Sequence, residues 1–167
     1  MSTEGMFQIA VILAALLCSL VAGFLFAFAV VVMPGIGSLD DRAFIRAFQV
    51  MDRVIQNNQP LFMVVWIGSV VSLIASVVLG IRHLDGVGRL LITFSALGYL
   101  FCVQLPTVTI NVPLNNKLQM LDAGAMTETE QKAARQAFEP SWNRWNSFRT
   151  VFACLASALL NILVFRL

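Results

Sequence analysis

The sequence predicts an all-α membrane protein: a four-transmembrane-helix bundle with an interfacial amphipathic helix between spans 1 and 2. Three observations carry that prediction. Of 167 residues, 59% are hydrophobic and 12% charged, about half the roughly 25% charged share of a soluble domain, and mean hydropathy is +0.83. Four apolar runs recur along the chain, matching the ~20 residues that a spanning helix needs. A fifth stretch is apolar along one side only. The whole, 1–167, reads as a single membrane domain.

Span 1 is expected over about Met6 to Met33, inside a run without charge from Gly5 to Leu39. The chain opens with Glu4 and no Lys or Arg, unlike a cleavable signal peptide, so the run is expected to stay as a permanent span. Ala15, Ser19, Gly23 and Ala27 recur every four residues, a ladder of small residues that lets another helix come close. Pro34-Gly35 is expected to end the span.

An amphipathic helix is expected over 39–57. Ser38-Leu-Asp-Asp41 offers a cap and first-turn acids. Phe44, Phe48, Met51 and Ile55 form one stripe, with Arg42, Arg46, Gln49, Arg53 and Gln56 opposite. Such a helix lies in the interface or caps a bundle. Its polar end, Gln56-Asn-Asn-Gln-Pro60, abuts span 2 at about 61–81. The turn that follows, 82–89, holds the lone His83, which has no Cys or carboxylate neighbours at ligand spacing and reads as a loop residue.

Span 3 is expected at about 90–110. Gln104, Thr107, Asn111 and Asn115 fall on one polar face as it leaves the bilayer, with Pro106 and Pro113 expected to kink or end it. Asn111-Val-Pro-Leu-Asn115 is then expected as a buried polar turn. In the water-soluble stretch after it, Thr127 and Glu130 form a capping box for a helix over 128–138, which Pro140 should stop.

Span 4, at about 145–165, is the informative one. Its charge-free part, Thr150 to Phe165, is too short to cross alone, so the helix must begin near Trp142 to Trp145 and draw Asn146 and Arg149 into the membrane. Trp142, Trp145, Asn146 and Arg149 share one face at helical spacing. Two readings stay open: an aromatic belt with a snorkelling arginine, or a slot for a flat, partly anionic ligand. If Arg149 is buried it needs a polar partner, with Asn111, Asn115 or Asp52 the candidates by side of membrane.

Four spans place loops 34–60 and 111–144 on one side, and nearly all the unusual polar residues collect at that mouth. Of the 11 Lys and Arg, only Arg82, Arg89 and Arg166 lie on the other side, so the positive-inside rule puts the mouth in the cytoplasm of a multi-pass protein of the cell membrane. Net charge is +2 and dispersed, which argues against nucleic acid. Cys18, Cys102 and Cys154 sit in apolar runs as small hydrophobes. No metal-ligand cluster and no Gly-rich cofactor loop occurs, and a transporter would want an internal repeat.

With those residues in view, the chain resembles the anthrone oxygenase-like membrane proteins, a group that includes fungal enzymes of polyketide pathways. The pieces are Ala22-Gly23 through Val32-Met33-Pro34-Gly35, Met51-Asp52-Arg53-Val-Ile-Gln-Asn57 to Pro60-Leu-Phe62, Asn111-Val-Pro-Leu-Asn115, and Trp142-Asn-Arg-Trp-Asn146 with Arg149. The resemblance implies a four-span bundle and the oxidation of an anthrone-type aromatic ketone to a quinone by O₂, with neither metal nor other cofactor. That chemistry asks for a base, for groups that stabilise an enolate-like anion, and for a dry aromatic slot. Asp52 is the candidate base; Arg149 and Arg53 are the candidates to hold the anion. Asn111, Asn115 and Asn146 would orient oxygen atoms, and Trp142 and Trp145 would stack the rings. The partners expected are membrane lipids and a small aromatic or quinone-like ligand, with a homo-oligomer left open. The alternative is a non-enzymatic membrane protein that binds a lipid, a quinone or a partner protein.

Overall fold

The structure is a computed structural model and describes residues 2–167. The described residues contain helices and turns only, in the order α1 Thr3–Gly37, α2 Asp41–Gln56, α3 Pro60–Gly80, α4 Gly86–Gln119 and α5 Glu128–Arg166. All except α2 are long and apolar enough to cross a membrane. The chain is therefore an all-α, multi-pass membrane protein.

Helix α1 is the hub, packed along α3 on one side and α5 on the other, while α4 lies against α5. The main core is built from Val11, Cys18, Val21 and Leu25 of α1, Leu73 of α3, Tyr99 and Val103 of α4, and Ala153 and Leu160 of α5. Helix α3 approaches α1 closely because its buried face is mostly small, Ser69, Ser72, Ser76 and Gly80 around a single Leu73. A Cβ at Gly80 would run into the Phe7 ring. The serine hydroxyls on this face need no partner from another helix, since Ser69, Ser72 and Ser76 each donate to a carbonyl one turn back, which satisfies them where water cannot reach.

Local chemistry sets the helix starts. Ser2, Asp40 and Asp85 cap α1, α2 and α4 with side-chain oxygens. The capping box at Thr127 and Glu130 forms as expected, and the Thr127 backbone N–H holds the Glu130 carboxyl below its usual range. Asn58, at φ 56°, makes the tight corner between α2 and α3, a left-handed position that asparagine tolerates.

Several expectations are corrected. Pro34 does not end α1, which continues to Gly37. Pro106 and Pro113 lie inside α4, so Asn111–Asn115 is helical, not a turn. Each of these three prolines follows a widened π-helical segment, Phe28–Val32, Gly98–Gln104 and Thr107–Asn111 respectively. The extra residue in such a turn shifts the carbonyl that a proline ring would otherwise strike four residues back. Pro140 likewise fails to stop α5; there the carbonyl it strands belongs to exposed Gln136, outside the bilayer. The helix expected at 128–138 is thus the water-side half of α5.

Two packing expectations also change. In the small-residue ladder, Ala15 is buried and Ser19 meets Ser157 of α5 at 2.6 Å, but Gly23 and Ala27 are exposed. Gln49, expected on the solvated side of α2, is buried and donates to the Leu118 and Leu121 carbonyls. It does so because α2 caps the bundle: Phe44, Ile45 and Phe48 pack on Phe138 and Trp142 of α5 and on Leu118. Arg135 ties this cap down, bonding the Gly37 and Leu39 carbonyls and pairing with Asp41 and Glu139. At the opposite end, Arg166 pairs with Asp85 at 3.0 Å.

Candidate functional site

Where α2 closes the bundle, a cavity of about 260 Å³ remains. Every helix contributes to its wall. Phe24 and Phe28 come from α1, Phe48 from α2, Phe62 and Trp66 from α3, and Trp142 from α5. The Phe62 and Trp66 rings stack, with centroids 5.3 Å apart and planes 22° from parallel. Against these surfaces stand polar groups: Asp52 from α2, Thr107, Asn111 and Asn115 from α4, and Asn146 and Arg149 from α5. A larger apolar groove, about 790 Å³, lies between α4 and α5 and is lined by residues such as Leu90, Phe94 and Phe101; it offers no polar chemistry.

Arg149 is the electrostatic centre. Only 4% exposed, it donates from Nη1 to Thr107 Oγ1 at 2.8 Å and from Nη2 to Asn146 Oδ1 at 3.0 Å. Its guanidinium carbon lies 5.9 Å from the centre of the Trp142 ring. The three ion pairs among the described residues involve Arg135 and Arg166, not Arg149. Its Nε–H also lacks a partner. A buried cation without a counter-charge is costly, and this one lines a cavity. The expected partners Asn111, Asn115 and Asp52 are thus replaced by Thr107 and Asn146. The guanidinium meets Thr107, about one helical turn deeper than Asn111 and two deeper than Asn115.

Asn146 is held in turn, its Nδ2 donating to the Leu25 carbonyl at 3.2 Å. Asn111, 2% exposed, donates to the Trp142 carbonyl at 3.4 Å, which leaves its Oδ1 unpartnered. The amide orientation follows from that bond, because a carbonyl can only accept. Asn111 and Asn115 therefore do reach α5, but at Trp142 rather than at Asn146 and Arg149.

A second network sits nearer the water. Trp142 Nε1 donates to Asn115 Oδ1 at 2.8 Å, and Asn115 Nδ2 donates to Asp52 Oδ1 at 2.8 Å. Gln56 and Gln119 both donate to Asp52 Oδ2, at 2.7 and 2.9 Å. Among the described residues, Asp52 is the one carboxylate lining the cavity. Three of its roughly four acceptor positions are taken, which fixes its place and leaves one free.

Two expected site residues stand elsewhere. Arg53 is exposed and does not line the cavity; next in line on the helix, it points about 100° away from Asp52. Trp145 is half-buried and packs edge-on against Phe148 at 5.5 Å. It lies at the border of the face that carries Trp142 and Arg149, on the side away from Asn146. Trp66 takes the place of the second indole, its Nε1 donating to Gln104 Oε1 at 3.0 Å. No sequence signal separates Trp66 from a lipid-facing indole. Thr107 was legible as part of the polar face of span 3, and only the packing shows that it meets Arg149.

A family model described as anthrone oxygenase matches residues 48–159. No curated protein and no solved structure matches the chain.

Proposed function

Because the chain belongs to the anthrone oxygenase family, we propose that the cavity binds a planar aromatic ketone of the anthrone type and oxidises its ring methylene with O₂. The balance is simple: the CH₂ becomes a carbonyl with one oxygen atom, and the other leaves as water. The observation that carries this reading is Arg149, a buried cation without a counter-ion facing an aromatic-walled cavity. Loss of a methylene proton turns the ketone into an enolate. A buried guanidinium without an ion-pair partner favours that anion over the neutral ketone. Asp52, with an acceptor position free, is the candidate to take the proton. Asn111, through its free Oδ1, is suited to a hydroxyl on the ring. Phe62, Trp66 and Trp142 supply flat surfaces. The orientation we favour places the mouth on the cytoplasmic side of the cell membrane.

A second reading is a binder without turnover. It is favoured by the three amide donors on Asp52, which suit a carboxylate that holds α2 to α4 as well as one that moves a proton.

The test uses purified protein in lipid nanodiscs, anthrone and an oxygen electrode. Wild type should consume one O₂ for each anthraquinone formed. Arg149→Lys should unfold within a few degrees of wild type yet lose activity by about a hundredfold, because an ammonium cannot reproduce the planar fork. Arg149→Met should be inactive. Equal loss of stability and activity in both variants would assign Arg149 to the fold alone. Saturable binding of anthrone without O₂ uptake would leave the binder.

A further inference from the structure

The water-side end of the cavity and its side between α3 and α4 are unlike. Toward water the end is crossed by Gln56 Nε2, which donates to Asn116 Oδ1 at 3.2 Å, with the Asp52 network directly inside. Toward the side, between the first turn of α3 and the widened part of α4, the lining is apolar: Phe62 is half-buried and Val112 is 41% exposed. The surface around this gap is apolar, with Leu61, Val64 and Val108 of the two spans 74%, 65% and 66% exposed.

The packing of α3 explains the gap. Helix α3 follows α1 along its length and nears the α4 backbone chiefly at the turn that joins them. Further along, side chains bridge the two, Ser69 to Tyr99 at 2.7 Å and Trp66 to Gln104 at 3.0 Å. Beyond Trp66, toward the mouth, no hydrogen bond joins α3 to α4 among the described residues.

We propose that this gap is a lateral portal, through which an apolar aromatic ligand passes directly between the bilayer and the cavity. The proposal rests on the cavity being the aromatic-ligand site. Entry from water requires breaking the Gln56–Asn116 bond and passing the amides around Asp52. Entry past Phe62 and Val112 requires only side-chain rotations, which are fast, and keeps an apolar ligand out of water throughout.

The probe is anthraquinone, a flat quinone that does not turn over, followed in nanodiscs by stopped-flow quenching of tryptophan fluorescence, since Trp66 and Trp142 line the cavity. Val112→Phe should slow association and dissociation together by about tenfold, as a narrowed gate does. Phe62→Ala should speed association, the arm that loss of its stacking surface would not produce, and it serves as the second test if Val112→Phe is poorly folded. Gln56→Ala should accelerate neither. Faster exchange in Gln56→Ala, with Val112→Phe and Phe62→Ala both within twofold of wild type, would overturn the portal and leave the site standing. Absence of saturable quenching in wild type would overturn the site reading and the portal with it.

Discussion

At the scale of the residue, a few side chains hold most of the cost of this fold. Arg149 is drawn into the membrane because the charge-free part of its span is too short, an inference available from spacing alone. Which groups receive it is a matter of register between α4 and α5, and Thr107 with Asn146 serves where Asn111, Asn115 or Asp52 was expected. Gly80 is a second such residue. Phe7 is 2% exposed and its ring lies where a Cβ on Gly80 would go, so the ring cannot swing away cheaply. Gly80→Ala should cost about 2 kcal/mol by overpacking. Gly23→Ala, with nothing within 4 Å of its added carbon, should cost less than about 0.5 kcal/mol. Thermal unfolding of the two variants in the same lipid checks this; equal shifts would show that the α1–α3 contact is looser than it looks.

At the scale of the element, proline is the recurrent problem and the widened turn the recurrent answer. Three prolines on the two bilayer helices α1 and α4 follow π-helical segments, whereas Pro140, on the water side, has none nearby. The physical difference is what becomes of the stranded carbonyl. Water can donate a hydrogen bond to it in α5, but hydrocarbon cannot. One of these turns has a further consequence. Thr107–Asn111 ends two residues before Pro113, and it sets the angle at which Thr107 and Asn111 meet α5. Replacing Pro113 with Ala removes the reason for the extra residue, and a return to α-helix would turn Thr107 away from Arg149. Pro113→Ala should therefore weaken anthraquinone binding by about tenfold through lost positioning, while thermal stability changes little, the regained helix hydrogen bond being offset by the lost Thr107–Arg149 bond. Unchanged binding would show that the turn is held by something other than the proline.

At the scale of the whole molecule, the ends of the helices sort to two sides. Arg166 joins the end of α5 to the start of α4, and Arg135 joins the water-side half of α5 to the end of α1. The corner at Asn58 and the turn at His83 must then lie across the membrane from each other. With Cys18, Cys102 and Cys154 replaced by Ala, Asn58→Cys and His83→Cys should react with an impermeant maleimide from opposite sides. In intact cells the His83 position should label and the Asn58 position should not, as the arginine distribution predicts. Labelling of Asn58→Cys alone would reverse the orientation but keep the topology. Labelling of both would break the topology itself.

The sequence by itself determined the class, the four spans, the amphipathic α2 with its acidic start, the Thr127 capping box and the gathering of polar groups at one mouth. These follow from composition, period and local hydrogen-bonding chemistry, which act over a few residues and can be read in order along a chain. It also picked out Asp52, Asn111, Asn115, Trp142, Asn146 and Arg149, because polar groups near a bilayer are scarce enough to stand out. Only the tertiary structure decided that four prolines leave their helices unbroken, that Trp66 rather than Trp145 faces the cavity, that Arg53 stays in water, and that Gln49 is buried. Each of those depends on which face of one helix meets another. A π-helical segment of five residues, such as Thr107–Asn111, shifts that face by an amount that no local pattern records, and packing alone settles where it comes to rest.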